Sequence, residues 1–433
     1  MAISRCAAEL QCGLVQQPFC RWAVCRGRVL LASAVVRAED AMAAELRIRR
    51  LQDEQEALDF SRILSWAFAL DAHEPARLIG HAGPDNVRIA VGPAGVAAGL
   101  LLLPMGQWFG GRSVPMTGIA AVATAPEQRG RGVAAKLLTD VLRELASRKT
   151  ALSTLYPAAL SLYRSVGYEP AGSRYCLRVR LADIGVRDRD LSISPIRDED
   201  VPAVEAAYRR CAVASAGYLD RSAYSWRRVR CPRGQEARGF MVCVGGDVEA
   251  YLYAVEEGRD ARSRYRLVLT DVATVNERAG RNLLGFLSDH RSMASEAVWH
   301  GGAASVLTSL LPEPTYQASL VDHFAVRVVD VEQALVARGY PPVDAELSIE
   351  VADPLLEQNR GPFRLQVSRG VGVVRRVEQA QLRVDIRGLA PLYTGFLSPH
   401  ALQTAGLLEG SERAVRVAGA LFSGPAPVMP DTF

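Results

Sequence analysis

Lysine is nearly missing from this chain: Lys136 and Lys149 stand alone among 51 basic residues, and the rest are arginine. An excess of one charge is missing too. A net charge of +4 over 433 residues leaves no case for a dedicated nucleic-acid surface. No apolar run nears the ~20 residues of a membrane span; "VAAGLLLLP" is only strand-length. The eight cysteines form no CxxC pair and have no histidine nearby at metal spacing. A reduced cytoplasmic chain without a metal is therefore expected. The six histidines make no HExxH, and no Gly-x-Ser-x-Gly occurs, so zinc-protease and serine-hydrolase readings lack support.

What is present is ordinary globular composition, 49% hydrophobic and 23% charged, in a chain too long for one core. Residues 1–41 read differently from the rest: "RGRVLLASAVV" meets Arg37, Glu39 and Asp40 at once, and Met42 then opens a strand-then-helix beginning. Residues 1–41 are expected to be a disordered, dispensable extension. Beyond them lies a repeat. "IRRLQDEQ" (Ile48 to Gln55) aligns without gaps to "ISPIRDED" (Ile193 to Asp200). A glycine-turned hairpin follows in each copy, "NVRIAVGPAGVAAGLLLLP" and "GFMVCVGGDVEAYLYAV". Each copy then has a strand ending Val-Ala-Thr, at Val122–Thr124 and Val272–Thr274. Tandem duplication of one α/β domain is the economical reading. The expected boundaries are 42–185 and 186–321, with an α+β domain over 322–433 that ends "GPAPVMPDTF".

In the first copy, "VATAPEQRGRGVAAKLL" passes from strand to helix through two arginines and two glycines. Val133, Leu137, Val141 and Leu145 recur every four residues, which predicts a helix with one buried face. Helix N-termini carry unpaired N–H groups and partial positive charge, and glycine admits an anion closely. Arg129 and Arg131 add charge to the turn. This is a pyrophosphate cradle at a strand end, built from Arg129, Gly130, Arg131, Gly132, Val133, Ala134 and Ala135. It lacks the Gly-Lys-Ser/Thr of a P-loop and the third glycine of a dinucleotide fingerprint. The second copy aligns Ala279 with Arg129 and Asn282 with Gly132, so it is expected to bind no such ligand.

The Arg-x-x-Gly-x-Ala pattern at Arg129 to Ala134, with "GIAAVAT" before it and "LYRSVGYEP" after it, resembles the acetyl-CoA signature of the GNAT (Gcn5-related) acyltransferases. One intact copy, one degenerate copy and an α+β third domain resemble the enhanced intracellular survival family of acetyltransferases. Further matches lie in "ALVARGYP" and a terminal phenylalanine. The resemblance implies tandem GNAT domains, a sterol-carrier-like last domain, acetyl-CoA as co-substrate, and a homohexamer. It also implies that the backbone of Val122, Ala123 and Thr124 pairs with the pantetheine arm, with Ala158 and Ala159 offering van der Waals contact.

Two groups carry the chemistry that the resemblance implies. Tyr163 is the general acid for the departing thiolate, and the carboxylate of Phe433 is the base for the incoming amine. The acceptor is a small cationic amine, aminoglycoside- or polyamine-like, or a lysine side chain. Phe68, Asp71 and Asp431 are its candidate binding residues. Two alternatives stay open: a tandem enzyme of the same kind acting on a thiol-cofactor precursor or a peptide, with no role for the chain's end, and a ligand carrier with vestigial enzyme domains.

Overall fold

The computed structural model describes residues 46–71, 73–261 and 263–433, so the expected extension over 1–41 lies outside the described chain. The first half runs β1 (Arg47–Arg49), α1 (Glu54–Phe68), α2 (Glu74–Ala82), β2 (Val87–Gly92), β3 (Gly95–Phe109) and β4 (Arg112–Thr124). It continues through α3 (Val133–Ser147), β5 (Leu152–Leu155), α4 (Leu160–Ser165) and β6 (Glu169–Arg180). Asp53 starts α1 by accepting from Glu56 N at 2.9 Å. The leucines of β3 serve two covers in alternation. Leu101 and Leu103 pack with Phe60 and Leu64 of α1, while Leu100 and Leu102 pack with Leu137 and Val141 of α3. A strand covered on both faces needs apolar residues throughout, so its sequence shows no polar alternation.

The second half repeats this plan with β7 (Ile193–Pro195), α5 (Val201–Ala212), β8 (Leu219–Asp220), α6 (Ala223–Arg230), β9 (Arg238–Val244) and β10 (Asp247–Glu257). It ends with β11 (Tyr265–Thr274), α7 (Glu277–Asp289), β12 (Ala294–Gly301), α8 (Val306–Ser309) and β13 (Tyr316–Val328). Both expected glycine hairpins form, β2 with β3 and β9 with β10. The strands join in one 13-stranded sheet, ordered β1-β2-β3-β4-β5-β13-β6-β12-β11-β10-β9-β7, with β8 set against β3. Its middle is an exchange. β13, the last strand of the second half, lies between β5 and β6, and β6 of the first half lies against β12. Residue 322 falls inside β13, and the strand stays in this sheet to Val328.

The remaining chain forms α9 (Val331–Ala337), β14 (Ala345–Ala352), β15 (Gly361–Ser368), β16 (Val371–Arg376), β17 (Leu382–Asp385), α10 (Ile386–Thr394), α11 (Pro399–Thr404), β18 (Leu408–Gly410) and α12 (Glu412–Leu421). Its five strands order as β16-β15-β14-β17-β18. Its core is continuous with the large sheet, since Leu347, Phe363 and Leu389 share one cluster with Phe109, Val114 and Phe324. Arg327 of β13 and Asp353, with side chains 0% exposed, form an ion pair in which Arg327 Nη2 donates to both carboxylate oxygens, at 2.8 and 2.7 Å. Arg327 also donates to Val166 O at 3.0 Å, just past α4. Among the described residues, no helix is long and apolar enough to cross a membrane.

Candidate active site

β4 and β5 run parallel and pair only at Met116–Leu152, Thr117–Ser153 and Gly118–Thr154. Beyond Gly118 the two strands part. Ala121, at φ +53°, sits where the β3–β4 register shifts, a bulge that re-aims the following backbone. The edge of β4 carrying Val122, Ala123 and Thr124 therefore faces the opening without a strand partner. Through residues 125–132 the chain then reaches α3.

Gly130 and Gly132 hold φ of +76° and +75°, a region that other residues enter at a cost. No heavy atom lies within 4 Å of where a Cβ would stand at either, so the turn presents open backbone. Gly132 begins α3, and no side chain caps that end. The first-turn amides of Val133, Ala134 and Ala135 are left as donors with the helix's partial positive charge behind them. Arg129 and Arg131 are exposed beside them. Val133, Leu137, Val141 and Leu145 are all buried, confirming the expected helix face.

Tyr163 lies on the other arm of the opening. It follows β5 in α4, is 6% exposed, and packs edge-on to Tyr168 with centroids 6.0 Å apart. It shares a core with Val122, Leu137 and Leu138, on the α3 face of the sheet. Its hydroxyl has no hydrogen-bond partner among the described residues, so the phenol keeps its proton free to donate. Burial pushes its pKa up to about 12. Ala158 and Ala159 are exposed just before α4.

Phe433 sits at the vertex, on the opposite face. A Cβ at Gly118 would come within 2.7 Å of its ring, so glycine is required there. Tyr156 lies 6.4 Å away between centroids. The tail leading to it is strapped down: Tyr156 Oη donates to Met429 O and Asp431 O at 2.8 and 3.1 Å, and Arg174 Nε to Pro430 O at 3.0 Å. Asp431, a candidate substrate-binding residue, is buried within the tail and paired with Arg221. Its Oδ1 accepts from Arg221 Nε at 2.9 Å, and Arg221 is held by Asp271 and lies 3.7 Å over the Tyr208 ring. Burial raises the Asp431 pKa against the pull of Arg221. Phe68 and Asp71 lie exposed at the end of α1 and just beyond. The tail anchors Gly118, Tyr156, Arg174 and Arg221 had no motif to announce them; a glycine inside the "TGIAAVAT" strand is the one available hint of a close approach.

In the second half, β11 and β12 also pair only near their start, at Tyr265–Ala294, Leu267–Ala297 and Val268–Val298, and then separate. The turn differs. Only residues 275–276 connect β11 to α7, and Asn276 caps the helix by accepting from Ala279 N at 2.9 Å. Asn282, expected at the turn, is inside α7 and 1% exposed, where it accepts from Leu191 N at 3.0 Å and donates to Asp190 at 2.7 Å. The loop itself is shortened, so aligning Asn282 with Gly132 placed a helix residue on a turn residue.

An acetyltransferase (GNAT) domain family matches residues 47–171. A second acetyltransferase (GNAT) domain family matches 217–328, and a sterol carrier protein domain family matches 331–430. Among solved structures, a GCN5-related N-acetyltransferase from Anabaena variabilis ATCC 29413 is 33% identical, with a TM-score of 0.85 over 90% of this chain and 100% of that one. One from Kribbella flavida is 26% identical, with a TM-score of 0.78 over 90% and 100%. Eis1 from Mycobacterium abscessus shares the fold at 24% identity, with a TM-score of 0.73 over 90% and 100%. Curated protein sequences yield no match.

Proposed function

Because the chain belongs to the GCN5-related N-acetyltransferase family, we propose that its first half transfers acetyl from acetyl-CoA to a primary amine by direct attack in a ternary complex. One observation carries this reading: two left-handed glycines open onto an uncapped helix beside an unpaired strand edge, in the first half alone. The amides of residues 130–135 would take the diphosphate, and the edge at Val122–Thr124 the amide-bearing arm. Acetyl-CoA supplies the thioester that the amine attacks.

The chain's own groups manage the protons. An alkylamine with a pKa near ~10.4 is mostly protonated at pH 7 and must lose a proton before attack. The carboxylate of Phe433, taken as the chain's end, would receive it directly or through water. Tyr163 would donate to the departing thiolate; a phenol held at about 12 stays protonated until it is needed. Backbone N–H groups near the Ala121 bulge would meet the developing oxyanion. Tyr163 and Phe433 belong to cores on opposite faces of the sheet, which supports donor and acceptor entering from opposite sides. The docked Phe433 favours a role for the chain's end and an acceptor at the vertex, as in the enhanced intracellular survival family. Cationic aminoglycoside- or polyamine-like amines and lysine side chains are the acceptors to try first, in a homohexamer.

The test is release of free CoA thiol from acetyl-CoA across such a panel, with Tyr163→Phe and a chain lacking Phe433 as controls. Turnover with some amine, lost in both variants, supports the reading. Full turnover in both would refute the assigned roles.

A further inference from the structure

The acceptor side of the vertex carries a charge pattern that the amine alone does not explain. Phe433 shares a hydrophobic cluster with α1, α2, Met105 and Tyr224 of α6. Met105 bridges them: its Cε would lie 3.2 Å from a Cβ at Gly118, and its Sδ faces the Ser225 hydroxyl at 4.0 Å. Next to Tyr224, between α2 and α6, lies a groove made of two adjoining cavities of about 550 and 180 Å³. Both share His81, Tyr224 and Arg227.

Its walls are arginine. Arg77, Arg227, Arg228, Arg230 and Arg233 line it, drawn from both halves of the chain. Two have acidic partners, Arg77 with Glu74 and Arg230 with Glu205 at 3.5 Å. Arg227, Arg228 and Arg233 have none among the described residues. Arg227 approaches His81 Nε2 at 3.1 Å, and the Arg228 charge acts against burial at the Tyr224 phenol. Three uncompensated guanidiniums around a concavity favour an oxyanion, since each presents a planar fork of donors. The cofactor's diphosphate does not account for them, because its cradle opens α3 on the other face.

We infer that the acceptor amine carries an anionic group at its far end, a carboxylate or a phosphate, and that Arg227, Arg228 and Arg233 hold it while the amino group reaches Phe433. This deepens the acetyltransferase reading and rests on it. It narrows the acceptor to one class among the amines proposed above, and Asp431, engaged by Arg221, does not compete for the charged end.

The experiment compares kcat/KM for alkylamines of equal length ending in ammonium, hydroxyl, carboxylate or phosphate, at low and high salt. Anion-ended amines should lead the hydroxyl-ended one at least tenfold, with the lead shrinking as salt rises. The carboxylate and phosphate arms identify which oxyanion is preferred. In Arg227→Gln/Arg228→Gln protein the lead should collapse, and Arg233→Gln, on an exposed turn, provides a second variant should the double change disturb α6. A lead for diammonium substrates, or an undiminished anion preference in the variants, would overturn the inference while leaving acetyl transfer intact. Weaker acetyl-CoA binding in the variants would also overturn it, by assigning the arginines to the cofactor. Absence of turnover with every amine would instead condemn the acetyltransferase reading itself.

Discussion

Two clefts of common ancestry sit in one sheet, and they differ in how the strand hands over to the helix. Both open because a parallel pair of strands separates after three paired positions. In the first, residues 125–132 swing out and leave a helix end bare; in the second, residues 275–276 connect directly and Asn276 closes the helix end with its own side chain. An amide already accepted by an asparagine cannot also receive a phosphate. The second cleft still lines a cavity of about 1200 Å³, part of it the tail segment Pro425–Val428. Its Arg221 and Asp271 steady the tail that brings Phe433 to the first cleft.

The comparison can be broken most severely at the phenol. Tyr163→Phe should lower kcat about 100- to 10,000-fold with little change in acetyl-CoA affinity. Since burial holds this phenol near 12, the native rate should not decline as pH rises through the ordinary value of ~10. A decline centred near 10 would point to another acid.

The shared strand comes next. Asp353→Ala leaves Arg327 charged and fully buried, which should cost about 3–5 kcal/mol in urea unfolding. Both halves should lose stability together, because Arg327 lies on the strand they exchange; separate transitions would contradict that coupling.

A smaller effect separates the two turns. Gly132→Val puts a branched residue at φ +75° over the open amides and should weaken acetyl-CoA about tenfold or more by calorimetry. Asn282→Gly in α7 should create no second site, keeping one cofactor per chain. The least effect is acid sensitivity in the second half. Burial lowers the His300 pKa from 6.5 to about 4, so its neutral form is favoured on folding. That contribution is complete above the unfolded value and is lost as pH falls from about 6.5 toward 4. His300→Gln should therefore flatten the loss of stability between pH 7 and 5.

How much of this was legible follows from contact distance along the chain. The strand, turn and helix of the cradle are local, and the spacing of Val133, Leu137, Val141 and Leu145 reports the buried face directly. A difference between the two copies was visible at this point, but the residues aligned with Arg129 and Gly132, Ala279 and Asn282, lie inside α7. The shortened turn of the second copy was not visible, because an ungapped alignment has no means of showing a deletion. The Arg221–Asp431 anchor spans 210 positions, and its identity depends on a tertiary arrangement that no periodicity encodes. The strand exchange was hidden for a related reason: β6 and β13 have the same alternation wherever they pair. Phe433 itself could be read as a candidate only through resemblance, whereas its seat on Gly118 required the fold.

That exchange has a consequence for synthesis. A ribosome that has emitted β1 through β6 has made every residue of the cofactor cradle, yet the slot beside β5 stays empty until Val328 emerges. Until then the nascent chain exposes an open β5 edge, the sort of edge that invites pairing with a neighbouring chain. Splitting the polypeptide between its two halves would make that transient exposure permanent in both pieces. Co-expression, with the fragments meeting as they are made, is the condition under which such a split could still yield protein.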